Sequence, residues 1–352
     1  MKTYRDERTG YEVRQYTFGP ERNAKHYFTT ENFTRDDKYF FFTRSKVDAA
    51  RDCDVVEGLY RADVETGEIV LMADDDYGSF CMHYDEDYAL LYRKSDSMVC
   101  RMDVYTGEKT ELGRFPKGAK LTNHLTVAND GRIACSIQLP NSIYGLAILD
   151  PGQSDAKVVY MTDQWIGHSQ ICPTDSNLIF YIHETGGDAL QRTWMFDVEY
   201  RMERPYYVEH PNEWITHETW SADGSIMALM RLNSAPEPER IIIGDKDGRH
   251  FDAVFESYKH ILHPGISRDK QWLCVDMTWK HEDGVSRWAA VLVNPHNGKH
   301  EILAYSKGDC FNGSDHLHPS FNRAGDKVIF SSPDENGIAQ VCVIDLGQVK
   351  RP

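Results

Sequence analysis

ETWSADGSIMALM, residues 218–230, reads as the end of one strand, a tight Ser-Ala-Asp-Gly turn, and a second strand of apolar residues. Asp and Gly tolerate the backbone angles that such a turn imposes, so the stretch encodes a β-hairpin. The same statement is made six more times: NFTRDDKYFFFTRS (32–45), HYDEDYALLYRKS (83–95), TVANDGRIACSI (126–137), SQICPTDSNLIFYIH (169–183), PGISRDKQWLCVDM (264–277) and PSFNRAGDKVIFSS (319–332). The turns return at intervals of ~45 residues, the length of a propeller blade. About 20 residues after most of them comes a second hairpin, built on a D/N-x-x-x-G turn, as in LYRADVETGEIVLM, VCRMDVYTGEKTEL and WAAVLVNPHNGKHEIL. Two hairpins per unit make four strands.

Seven units fit the chain, and the last supplies only three strands before QVCVIDLG ends it. The N-terminal stretch YEVRQYTFG could supply the fourth, close the ring and remove an exposed sheet edge. The expected fold is therefore all-β: a seven-bladed β-propeller of four-stranded antiparallel blades over 1–352, a single domain closed by an N-terminal strand. A two-sheet sandwich is the competing all-β arrangement, but nothing in a sandwich calls for so regular a turn signature. No stretch of useful length has helical periodicity.

With 39 Lys and Arg against 55 Asp and Glu, the formal net charge is −16. That balance excludes the basic footprint needed for nucleic acid or an anionic membrane surface. A short anion held by a local cation or metal remains compatible with it. The eight cysteines form no CxxC pair, and most stand in apolar runs such as RIACSI and WLCVD. Buried free thiols in a reducing compartment fit this pattern better than disulfides. The charged MKTYRDERTGYEVRQYT has no apolar core of a secretion signal, and no apolar run is long enough to span a bilayer. The expectation is a cytoplasmic protein with no membrane and no nucleic-acid partner.

The fifteen histidines are not evenly spread. His168, His217, His263 and His318 each stand just before a repeat turn, where the innermost strand of a blade begins. A single histidine there is ordinarily no more than a hydrogen-bonded strand start. Four in register converge on one mouth of a propeller's central channel. His316 lies two residues before His318, so on an extended strand both would face one side. Three imidazoles with open positions suit a divalent transition metal such as Mn, Fe, Ni or Zn. His168 with Gln170, His183 and Glu184 in the same zone are the substrate-binding candidates, and Arg192 opens the run RTWMFDVE. On spacing alone Arg192 is equally a rim charge.

The chain has no GxSxG nucleophile elbow, no Walker A motif and no glycine-rich dinucleotide fingerprint. Its seven Trp do not form the Trp-Asp dipeptides of scaffold propellers.

HSQICPTDSNLIFYIHETGGDALQRTWMFDVE (168–199), THETWSADGS (216–225) and HLHPSFNRAGDKVIFSS (316–332) together resemble the oligogalacturonate lyases, a family of seven-bladed pectin-degrading lyases. The likeness covers blades four to seven and extends more loosely to HYFTTENFTRDDKYFFFTRS (26–45) in the first. The combination of H-x-Q, H-E, R-x-W and T-H-E-x-W is more specific than any one of them. The resemblance implies β-elimination on a short 4-linked uronate such as digalacturonate. It implies a divalent metal, usually Mn²⁺, held by three histidines and a glutamine. Matched motif by motif, the ligands fall on His316 and His318 of HLHPSF and on His263, with His260 possible in HILHPGISRD. The base falls on His217 and the essential arginine on Arg192. The glutamine falls on Gly313, with Asn312 and Asp315 nearby. That departure keeps a lyase acting on another uronate in view, and a non-catalytic binding propeller is the alternative from a different class.

Overall fold

The computed structural model describes residues 1–48, 53–183, 189–211, 213–233, 237–281, 284, 286–308 and 316–352. Seven antiparallel sheets are arranged in sequence order as blades. The first contains strands Arg22–Lys25, Tyr39–Asp48, Cys53–Asp63 and Ile69–Ala73. The fifth contains Glu213–Trp220, Ile226–Asn233, Glu239–Asp245 and Phe251–Ser257, and the sixth follows the same pattern from His260–Ile266 to His300–Tyr305. In the third blade the innermost strand is broken into Lys120–Leu121 and Thr126–Val127. Short 3₁₀ turns at Pro140–Ser142 and Leu346–Gln348 are the helical elements among the described residues. No helix there is long and apolar enough to cross a membrane.

Both turn signatures behave as expected. In ETWSADGS, Gly224 adopts φ +64, and a Cβ there would sit 2.8 Å from Cys172 Sγ of the preceding blade. In the second hairpins, Asp63 Oδ1 accepts from the backbone N–H of Glu65 and Thr66 at 2.9 and 2.8 Å, and Asp103 repeats this with Tyr105 and Thr106. The leading carboxylate thus satisfies the donors that a tight turn leaves open.

The ring closes as expected. Glu12–Gln15 joins the seventh blade with Val13 opposite Ile344, Arg14 opposite Val343 and Gln15 opposite Cys342. Lys2–Arg5 adds a fifth strand outside it. Val13 is fully buried against Val328, Phe330 and Ile344. Putting a carboxylate there in Val13→Asp is expected to destabilise the protein by roughly 3 kcal/mol. A thermal midpoint equal to that of the wild type would show that closure contributes little.

Apolar residues from neighbouring blades interleave. Met230 and Ile241 of the fifth pack with Ile261, Val275 and Val291 of the sixth, all fully buried or nearly so. Each such side chain contributes about 1.5–3 kcal/mol when withdrawn from water. Cys81, Cys100, Cys135, Cys172, Cys274 and Cys342 are free and buried, as the cysteine spacing implied. Burial pushes the thiols of Cys81 and Cys342 up to about 12.

A histidine ring at the channel mouth

The four in-register histidines share an unusual backbone. His168, His217, His263 and His318 have φ of 48, 53, 45 and 46, the left-handed region that side chains other than glycine rarely adopt. Three of them sit where the innermost strand loses register with the second: between Gly167 and Gln170, between Thr216 and Thr219, and between Leu262 and Gly265. In the seventh blade the paired strand starts only at Ser320, just after His318. Each left-handed residue costs of order 1–3 kcal/mol, which surrounding structure must offset, and such strain gathers at functional sites. In those three blades the bulge turns the imidazole out of the ladder. This differs from the sequence expectation for His316 and His318. They meet because the chain turns at His318, not because an extended strand alternates.

His263, His316 and His318 bring ligand nitrogens within 4.8 Å of one another. The rings of His263 and His318 lie 4.2 Å apart, and the His316 ring lies 4.3 Å from Trp288. Asp276, fully buried on the next strand, takes His263 Nδ1 at 3.0 Å and accepts the His318 backbone N–H at 3.2 Å. A carboxylate on one ring nitrogen fixes the tautomer and leaves the other nitrogen available as a ligand. Burial, then the neighbouring His316, holds His263 well below the ordinary imidazole range. Burial, then His263, does the same to His318. Both are neutral near pH 7, as ligation requires. His260, left open by spacing, faces away and pairs with Glu239 at 2.8 Å, with its side chain 42% exposed.

His217 stands beside this group, its ring 4.2 Å from that of His263. Its Nδ1 is buried and has no hydrogen-bond partner among the described residues. Burial holds it well below the ordinary range, and the positive charge of Arg192 adds to the effect. Arg192 is 1% exposed; its NH1 donates to Ile215 O at 2.5 Å and to Glu218 Oε1 at 2.9 Å. Glu218 also takes His168 Nδ1 at 2.9 Å. Burial alone would raise the Glu218 carboxyl, but Arg192 and His168 outweigh it and hold it ionised.

Of the substrate-binding candidates, His168 lines the channel with its side chain 25% exposed. Gln170 is buried behind it and donates to Glu218 O at 2.7 Å. His183 bonds the Trp165 carbonyl and packs on Tyr181 and Trp194; no ring contact joins it to the other channel histidines among the described residues. Glu184, Asn312, Gly313 and Asp315 lie outside the described residues.

Some partners escaped the sequence reading. His124 stands six residues before Asp130, the offset of His217 from Asp223 and of His263 from Asp269, so the repeat register itself could have revealed it. Lys25 Nζ donates to the His318 carbonyl and to Ser320 Oγ, and burial brings its ammonium down to about 7. Asp276 and Lys25 reach the site from other strands, and no local pattern marks them.

No family model matches the chain. The oligogalacturonate lyase of Dickeya dadantii is 24% identical over 252 residues, 65% of this chain and 63% of that protein. The chain resembles the oligogalacturonate lyases. Its match spans less than two thirds of that curated relative. An oligogalacturonate lyase from Vibrio parahaemolyticus superposes with a TM-score of 0.83 at 18% identity, covering 99% of this chain and 97% of the other. A structure of oligogalacturonate lyase in complex with manganese gives 0.81 at 19% identity, covering 99% and 96%. At such identities the superpositions establish the seven-bladed fold.

Proposed function

We propose that the chain is a metal-dependent lyase that cleaves short oligogalacturonides such as digalacturonate by β-elimination. The observation that carries this is a division of labour among histidines. Three imidazoles share one small volume, while a fourth, His217, lies beside them with a ring nitrogen uncommitted. A binding scaffold has no use for that arrangement. The manganese complex of a structural neighbour and the curated relative's activity support it.

The donor set fits a divalent transition ion, with His263, His316 and His318 as ligands and Asp276 orienting His263, and the manganese complex of the structural neighbour makes Mn²⁺ the first candidate. When bound there, the ion would neutralise the substrate carboxylate and stabilise the negative charge that develops as the C5 proton leaves. His217, neutral near pH 7, takes that proton. Arg192 is too buried to reach far into the channel. Its charge ties Glu218 in place and, after burial and the neighbouring histidines, helps to keep His217 neutral and ready to accept a proton. His168 at the rim contacts the substrate, and Gln170 supports it from behind. The net charge of −16 presents no obstacle, because the anion meets a local cationic centre. The buried free thiols support a reducing, cytoplasmic location.

Asp276→Asn is expected to weaken Mn²⁺ binding about 10–100-fold, read by isothermal titration. Unchanged affinity would mean that Asp276 serves packing alone. Substrate choice is tested by incubating the Mn²⁺-loaded protein with digalacturonate and, separately, with a glucuronate-containing disaccharide. The ultraviolet absorbance of the 4,5-unsaturated uronate should rise with the first. A rise only with the second would move the reading to the other uronates, which the Gly313 departure keeps in view.

A further inference from the structure

The first blade breaks the pattern of its neighbours. Arg22–Lys25 pairs regularly until Lys25 meets Phe42, and pairing resumes only at the Phe33–Phe40 bridge. Residues 26–32 therefore stand opposite the single residue Phe41, and the surplus chain bows inward. The bow is tied down at several points. His26 N–H donates to Asn32 Oδ1 at 3.1 Å, Asn32 Nδ2 to Thr30 O at 2.9 Å, and Met82 N–H to Thr30 Oγ1 at 3.2 Å. Glu31 forms ion pairs with Arg268 and Arg323, from the sixth and seventh blades, at 3.2 and 3.1 Å. Below it, Phe28, Glu31, Tyr84 and Arg268 line a cavity farther down the channel.

This construction delivers Tyr27 to the hub. Its ring centre lies 4.9 Å from that of His318, 5.7 Å from His263, 6.1 Å from His124 and 6.5 Å from His168. Those histidines come from four different blades, so the ring stands close to the channel axis. The residue is only half-buried, so a ligand entering the mouth can reach it. No other tyrosine among the described residues makes a ring contact with any of the four.

Elimination needs an acid as well as a base, since a sugar alkoxide is a poor leaving group. From its place at the hub beside the ligand histidines His263 and His318, we propose that Tyr27 is that acid, donating its phenolic proton to the departing glycosidic oxygen; this rests on the elimination reading above. His217 removes the C5 proton, the C5 electron pair forms the C4=C5 double bond, and the C4–O4 bond breaks. O4 leaves with the Tyr27 proton as a free hydroxyl. Water then reprotonates the phenolate and accepts the proton from His217, so atoms and charge balance. The histidines are poorer candidates. A neutral imidazole N–H is a much weaker acid than a phenol of pKa ~10, and burial keeps His124 neutral.

The test compares Tyr27→Phe with wild type on two substrates. In digalacturonate the leaving group is a sugar alcohol; in a 4-deoxy-4-fluorogalacturonate it is fluoride, which departs without a proton. The expected result is a kcat loss of about 10²–10⁴-fold on digalacturonate. The fluoro substrate should keep its wild-type rate, and Mn²⁺ content and thermal midpoint should be unchanged. Equal losses on both substrates, loss of bound Mn²⁺, or no loss on digalacturonate would each overturn the assignment. A wild-type protein that eliminates from neither substrate would overturn the lyase reading itself, and this inference with it.

Discussion

His217→Ala is expected to lose turnover of digalacturonate by about 10²–10⁴-fold while keeping its metal and its fold. Among the described residues His217 Nδ1 has no hydrogen-bond partner, so removing the imidazole strands no partner there. The side chain is not one of the three whose nitrogens cluster within 4.8 Å, so the ligand set survives. Its left-handed backbone, φ 53, is adopted more readily by histidine than by alanine, so the variant should lose a little stability while keeping the fold. The variant should therefore separate chemistry from binding: kcat falls, and Mn²⁺ measured by elemental analysis after dialysis stays at the wild-type level. Loss of metal in His217→Ala would place His217 among the ligands and leave the base unassigned.

The second large effect is on the metal itself. Replacing His316 and His318 together removes two of three imidazoles and should leave the protein without bound Mn²⁺ after dialysis. The fold should survive, because the strands of the seventh blade that pack its core, Lys327–Pro333 and Ala339–Asp345, lie beyond the pair. His260→Ala is the matched control. His260 pairs with Glu239 away from the cluster, so its loss should leave metal content untouched. Retention of metal by the double variant, or its loss in His260→Ala, would show that the site lies elsewhere.

The blade architecture was legible in the sequence because propeller turns are local. Asp63, Asp103 and Gly224 do their work within a few residues of themselves, so short repeated motifs carry it. The convergence of His168, His217, His263 and His318 was legible for the same reason: equal offsets from equal turns lead to equal places around the ring. The conformation of these residues was not. A φ near +50 follows from a bulge against the neighbouring strand, and nothing in H-P-G-I or H-E-T-W announces it. Contacts across blades were hidden as well. Asp276 meets His318 from 42 residues away, and Arg323 meets Glu31 from the opposite end of the chain. Tyr27 lay inside HYFTTENF, where alternation suggests an ordinary inner strand, and only the break in pairing after Lys25 brings it to the axis.

Elimination at a metal centre formed by His263, His316 and His318 has a direct optical readout. The measurement that bears on it most directly is the ultraviolet absorbance of unsaturated uronate, followed as metal-stripped protein meets digalacturonate and Mn²⁺ is then added. The absorbance should stay flat before the addition, rise after it, and stop rising when a chelator is introduced. A folded protein that takes up Mn²⁺ at these histidines and still produces no unsaturated product from digalacturonate would contradict it.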